Sequence, residues 1–470
     1  MNGTATIINY NANADSIVSA AGRISTTKGC ADEIYENSCN NDREKNLKLI
    51  NKILSSGHES VLEHVSVNLS FNNVSVFVEQ FMIEFRLASF TVKSRRYVDF
   101  GGMGYILPDF SAFEGEKAEK LRQNYESHME LLFGEYDFFV EQGIPKEDAR
   151  FVLPYAFKSN FFCTVNAREL IKIMNEMVGG RGSKYPEIRA LGESLFCQCR
   201  EKLPFISIRK QMENVHENIF RLLSASRGTE TDKVPGTVSG SGDESLVRLL
   251  GGTASPEQAV CRAAAAGCGL SWQDDFSGDE EWQRTLISWL LKGDRRRELE
   301  QVSVTVRFER ISLAGVTHLV RHRMQSIIIP EYLRVCDFDK YVLPESIVNA
   351  GLEKRYRDIF AKSRQMSGEL AHLGFPMCDQ VYLFLSGMTI PVQTTMNANE
   401  LATFLRLRTC SRAQWEIKAC ADELLTRLRE TYPVMFSLYG PTCYMMGRCP
   451  EGKMTCGRMR EVCREYEPQR

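Results

Sequence analysis

The sequence predicts an α/β (α+β) protein of two tandem domains, each a mixed sheet flanked by helices, and three observations lead there. First, EHVSVNLSFNNVSVFVEQFMIEFRLAS from Glu63 aligns without a gap with EQVSVTVRFERISLAGVTHLVRHRMQS from Glu300. The match runs for 27 positions at a constant offset of 237, and both segments end on serine, Ser89 and Ser326. Second, each segment opens with alternating apolar residues (VSVNLSF, VSVTVRF), the period of a half-buried strand, then changes to apolar residues at helical spacing. Third, residues 224–245, SASRGTETDKVPGTVSGSGDES, are rich in Ser, Gly, Thr and charge without apolar periodicity, as a surface linker is. The expected division is a first domain 1–223, a linker 224–245, a second domain 246–440 and a cysteine-rich tail 441–470.

A second anchor strengthens the duplication. FFCTVNARELIKIMN and QTTMNANELATFLRLR each carry an N-A-x-E-L start to an amphipathic segment, which makes Asn166 and Asn397 expected helix N-caps. A chain of 470 residues with 43% hydrophobic residues supplies a core for each copy. Its formal net charge of -2 creates no whole-chain field for nucleic acid or anionic membrane, and its basic motifs are dispersed, so anion binding is expected to be local. MNGTATIINYNANADS lacks a secretion signal's basic start and apolar stretch, and no apolar run approaches spanning length, so a cytoplasmic location away from membranes is expected.

Fifteen cysteines fit reduced thiols better than a disulfide framework. Cys443, Cys449, Cys456 and Cys463 crowd the tail among Gly and Pro punctuation. Their spacings are not paired C-x2-C, so structural zinc, an iron–sulfur cluster and free thiols all stand as readings.

Arg321-His322-Arg323 closes an otherwise apolar segment, LAGVTHLV. Two forked guanidiniums suit phosphate or an anionic ring, although R-H-R alone is also the pattern of a solvated surface. In the first half, GHESVLEH places His58, Ser60, Glu63 and His64 just before a strand, a set that would also serve zinc. SFTVKSRRYVDF groups Ser94, Arg95, Arg96 and Tyr97, suited to a phosphate or a pyrimidine edge, or to an exposed basic turn.

The order H-x-S-x-x-E-H, strand, R-H-R-x-x-S, S-x-R-Y, A-R-x-x-L-P, T-x-N-A-R, L-R-x-x-x-x-A-Q-x-E-I resembles the flavin-dependent thymidylate synthases over nearly that family's whole length, once per half. The halves have decayed in a complementary way. The first keeps His58, Ser60, Glu63, Ser94, Arg96, Tyr97, Arg150, Asn166 and Arg168, but reads Glu84-Phe85-Arg86 at R-H-R and MVGGRGSKYPEI late, with Gly179 at the nucleotide-binding arginine. The second keeps Arg321, His322, Arg323, Ser326, Arg408, Gln414 and Glu416. It has RRRELEQ for the histidine motif, EYLRV for the serine-arginine-tyrosine turn, Asn399 at the place of Arg168, and no arginine in VYLFLSGM. Such partition is expected if each surviving site takes one face from each copy.

Carried over, the resemblance implies Ser94, Arg96, Arg150, Arg321, Arg408 and His318 at the nucleotide, with Arg408, Ser94 and His58 closest to the chemistry. It implies FAD against Arg321, His322, Arg323, Ser25, Ser60, Glu63, Asn166 and Arg168, and His58 facing the flavin and folate region. The implied reaction is reductive methylation of dUMP to dTMP without an enzymic cysteine nucleophile, methylenetetrahydrofolate giving the one-carbon unit and NADPH recharging the flavin. The family's homotetramer would become a homodimer of two-copy chains, a pseudo-tetramer. Thr91 and Val92 replace a usual Asn-Glu pair, His318 a usual glutamine and Arg412 another polar residue. A related pyrimidine nucleotide, or a catalytically silent nucleotide- and flavin-binding scaffold, are therefore the alternative readings.

Overall fold

A computed structural model describes residues 3–209, 211–213, 215–226, 245–271 and 279–467, so the body of the expected linker, 227–244, lies outside the described residues. The repeat is realised as two four-stranded sheets of identical topology. In the first, β1 (Thr4–Tyr10), β2 (Ser66–Ser75), β3 (Ala88–Val92) and β4 (Lys158–Asn166) are ordered β1-β2-β4-β3. In the second, β5 (Val247–Gly252), β6 (Ser303–Ser312), β7 (Gln325–Ile328) and β8 (Thr389–Asn397) are ordered β5-β6-β8-β7. The alternation seen in sequence is the burial pattern: Val67, Leu69 and Phe71 on β2, like Val304, Val306 and Phe308 on β6, face the core. Registers agree as well, Ser66 pairing with Asn166 and Ser303 with Asn397, and both long strands shift register at the same place, Phe71/Val74 and Phe308/Ile311. Every strand pair is antiparallel, where a mixed sheet was expected. The third strand of each copy returns beside the fourth, not beside the second, so each pair of neighbours runs in opposite directions.

The strand-to-helix junction repeats too. Ser75 and Ser312 cap the helices Val76–Ile83 and Leu313–Leu319, accepting from the backbone N–H groups of Val78 and Gly315. A buried carboxylate from a later helix receives each junction: Ser75 N donates to Glu187 Oε1 at 2.8 Å, and Ser312 N and Oγ donate to Glu416 at 2.6 and 2.5 Å. The glutamate of the A-Q-x-E-I motif is thus a fold residue, which explains its presence in both copies. Its partner Gln414 is the N-cap of Trp415–Thr431. Glu416→Leu would strand two buried donors at a cost of about 2–4 kcal/mol, readable as a lowered urea midpoint.

Two compact units divide the chain, residues 1–234 with 343–386, and 235–342 with 387–470. Units and sequence copies are therefore different partitions, because a stretch of the second copy is built into the first unit. There the helix Glu353–His372 packs on Gly115–Glu141. Arg355 Nε lies 2.6 Å from Glu135 Oε2, with the guanidinium 3.6 Å from the Phe138 ring centre. Tyr155 N donates to Phe384 O at 2.7 Å and Ser386 N to Leu153 O at 2.9 Å, around a Pro154–Leu385 bridge. These are corresponding stretches, ARFVLPYAF and QVYLFLSGM, so within this unit they pair like against like.

The same unit buries His128, whose Nε2 has no hydrogen-bond partner and whose imidazole burial pushes down to about 4. The unfolded chain takes up this proton first, so His128 should cost stability progressively from about pH 6.5 to about pH 4, by roughly 3 kcal/mol. Asp379 acts in the opposite sense, since burial raises it to about 6. The pH dependence of the denaturation midpoint of His128→Leu minus that of the wild type isolates the histidine. Among the described residues no helix is long and apolar enough to cross a membrane.

Candidate functional site

In the first unit, Arg96 and Arg150 both bond Glu147, one at its carboxylate and the other at its main-chain oxygen. Arg96 Nε is 2.7 Å from Glu147 Oε2, while Arg150 Nε donates to the Glu147 main-chain oxygen at 3.1 Å. Arg150 is only 3% exposed, so its charge is held out of water near a second guanidinium, a setting that favours an incoming dianion. Ser94 begins the same turn, its Oγ 3.4 Å from Arg96 N, with Tyr97 lying 5.6 Å under the Arg96 guanidinium. Arg95, grouped with these in sequence, instead turns inward to the fully buried Glu79, which also accepts from Ser159.

A second cluster of the same unit joins the histidine motif to T-x-N-A-R. The short 3-10 helix Glu59–His64 carries exposed Ser60 and Glu63, and exposed His58 caps it. Arg168 Nη1 reaches Glu63 Oε1 at 2.5 Å from the second position of the helix Ala167–Val178, and Asn166 caps that helix by accepting from Glu169 N at 2.9 Å. Ser25 is exposed beyond the helix Ala14–Arg23. In the second copy Asn399 Nδ2 donates to Glu300 Oε1 at 3.2 Å, so an ion pair at the matching position has become a neutral-donor hydrogen bond.

The second unit presents R-H-R in alternation. Arg321 and Arg323 are exposed and His322 is 4% exposed, pointing inward. Arg408 Nε donates to His322 Nε2 at 3.0 Å and Arg408 Nη2 to His318 O at 3.2 Å, while His322 Nδ1 lies 3.2 Å from Glu400 Oε1. His318, expected at the substrate, is 6% exposed within a helix buried on all sides. Its main-chain carbonyl is what holds Arg408. Burial keeps the His322 imidazole below its ordinary range, Glu400 pulls it up, and the Arg408 and Arg321 charges add to the lowering.

The first copy shows what replaced these groups. The helices Ala167–Val178 and Ala398–Arg408 share their N-caps, which sets Met177, not Gly179, opposite Arg408. The chain runs 21 positions from Asn166 to Glu187 but 19 from Asn397 to Glu416, so a gapless alignment from the glutamate misplaced the match. Met177 is fully buried, Phe85 stands for His322, and Glu84 pairs at 2.5 Å with Arg181, whose guanidinium covers Phe81 at 4.7 Å. That position is filled by the chain's own side chains.

Among the described residues no three His, Cys, Asp or Glu side chains are gathered for a metal ion. Cys443 and Cys463 sit on separate short helices, Thr442–Met446 and Met459–Glu465, and Cys456 is exposed. Sequence reading also passed over Glu147 and Glu400. Their signals were position, Glu147 one turn before Arg150 and Glu400 three residues after its N-cap.

The family described as "Thymidylate synthase complementing protein" matches residues 6–205 and again residues 248–434. The chain belongs to this family. It carries two copies of the family's domain, and the two matched segments follow the two sheets. A flavin-dependent thymidylate synthase of Geobacter sulfurreducens is 34% identical over 231 residues, covering 47% of this chain and 97% of the relative. Another from Clostridium tetani is 28% identical over 247 residues, again 47% of this chain and 96% of its own length. Among solved structures, a UMP/dUMP methylase from Streptomyces cacaoi bound with 5-Br dUMP is 23% identical over 44% of this chain and 93% of its own. Its TM-score of 0.37 carries no further weight.

Proposed function

We propose that this family member is a flavin-dependent thymidylate synthase that methylates dUMP to dTMP with methylenetetrahydrofolate and NADPH, using groups drawn from both copies. The observation that carries the reading is the division of the nucleotide arginines. Arg96 and Arg150 are kept in one copy, both bonded to Glu147, Arg408 with its histidine in the other, and Met177 stands where the first copy would repeat Arg408. Neither copy holds a full set.

The donor set suits FAD: exposed Arg321 and Arg323 offer forked donors to a pyrophosphate, and Ser25, Ser60, Glu63, Asn166 and Arg168 offer polar edges. What bound flavin supplies is the redox chemistry for moving and reducing the one-carbon unit. The chain's own work is orientation and electrostatics. Arg96 and Arg150 neutralise the phosphate, with Ser94 hydrogen-bonding beside them, and Arg408, fixed on its Nε edge by His322, stabilises negative charge that develops on the uracil ring. His58, exposed at the mouth of its short helix, faces the folate side. A dimer of two-copy chains completes the assembly, and light scattering of the flavin-loaded protein should give twice the chain mass.

Purified protein should be yellow and should oxidise NADPH only when dUMP is present. Yellow protein indifferent to dUMP would redirect the reading to another pyrimidine nucleotide, the outcome that Thr91 and Val92, in place of the family's Asn-Glu pair, specifically favour. Colourless protein that takes up no FAD would leave only a scaffold.

A further inference from the structure

Arg408 is held by a chain of three residues that no motif announced in full. Glu400 Oε1 lies 3.2 Å from His322 Nδ1, and His322 Nε2 lies 3.0 Å from Arg408 Nε. A guanidinium Nε–H only donates, so Nε2 must carry its lone pair. The remaining ring proton therefore sits on Nδ1 and points at the carboxylate. The imidazole is then neutral in one tautomer, with both neighbours compatible with it. The groups that face His322 are Glu400 and Arg408 from the helix Ala398–Arg408, Arg321 from its own loop, and the Phe404 ring, edge-on at 5.0 Å.

We infer that Glu400 is a positioning residue, fixing the tautomer of His322 so that the imidazole holds the Arg408 guanidinium in its working orientation. The first copy provides an internal comparison. It keeps a glutamate at the same point of its helix, Glu169, which pairs with Lys172 at 3.2 Å, but has Phe85 and Met177 where the imidazole and guanidinium would be. A glutamate there is thus compatible with a helix-start role alone. What the second copy adds is the relay, and the relay is present only where the arginine is.

The consequence is a proton-dependent coupling. A proton on His322 Nε2 would turn the acceptor into a donor facing Arg408 Nε–H and set two cations against each other, so the arginine is held only while the ring is neutral. Burial favours that state at neutral pH; Glu400 opposes it while fixing the tautomer.

The inference rests on the proposed role of Arg408, and the test separates the two. In Glu400→Gln the amide oxygen still accepts from Nδ1–H without charge, so turnover near neutrality should stay within about threefold of wild type. The acid limb of the pH–rate profile should move to lower pH, because a charge favouring protonation is gone. Glu400→Leu should lose roughly 10- to 100-fold in kcat with little change in KM, and Glu400→Gln is its rescue. Nitrogen NMR of histidine-labelled, flavin-loaded protein reads the relay without turnover. Wild type and Glu400→Gln should show His322 as the neutral Nδ1–H form, and Glu400→Leu a mixture of tautomers. An unchanged tautomer in Glu400→Leu, or an unmoved acid limb in Glu400→Gln, would overturn the inference. The expected NMR result in a protein that leaves dUMP unchanged would uphold the relay and reject the proposed reaction.

Discussion

Arg408→Met is expected to lower dUMP-dependent NADPH oxidation by at least about two orders of magnitude, the usual cost of removing a group that stabilises developing charge. Methionine is the informative replacement because the first copy carries Met177 at that helical position, fully buried in the same fold. The substitution removes the donor to His322 Nε2 and to His318 O, both on buried residues, at a cost of about 1–2 kcal/mol spread over a large unit. The thermal midpoint should therefore stay within a few degrees, and the loss should appear in kcat and kcat/KM together, the signature of a contact made in the transition state.

Arg96→Ala should act differently. Its guanidinium is only partly withdrawn from water and bonds Glu147. Removing it takes away a charge-assisted contact with phosphate and leaves the Glu147 carboxylate with less compensation. The expected result is a rise of about 10- to 100-fold in the dUMP concentration needed for half-maximal rate, from about 1.5–3 kcal/mol for a hydrogen bond to a charged group. Glu147→Gln in the same background should recover part of that loss by removing repulsion. The two arginines lie in different copies, so large effects from both are what a shared substrate requires and what a single-copy site forbids.

Much of the architecture was legible in the residues themselves. Alternation in VSVNLSF and VSVTVRF gave β2 and β6 their inward faces, and N-A-x-E-L placed both helix caps at Asn166 and Asn397, which accept from Glu169 N and Glu400 N. Orientation was not legible where periodicity fails. Residues 320–324 form no regular element, so nothing in R-H-R said that the histidine turns inward while both arginines face solvent. Nor does composition separate Arg95, spent on buried Glu79, from Arg96 beside it. Antiparallel pairing was hidden because strand order depends on contacts far apart in sequence. The same is true of the residues 343–386 that join the first unit: nothing in their own sequence says which copy they pack with.

The most direct measurement is mass spectrometry of the nucleotide after flavin-loaded protein is incubated with dUMP, NADPH and methylenetetrahydrofolate. Wild type should return dTMP, one methyl group heavier at carbon 5, while Arg96→Ala at low dUMP and Arg408→Met at any dUMP concentration should return dUMP. Full conversion by Arg408→Met, or unmodified dUMP from the wild type, would contradict a nucleotide held between the arginines of two copies.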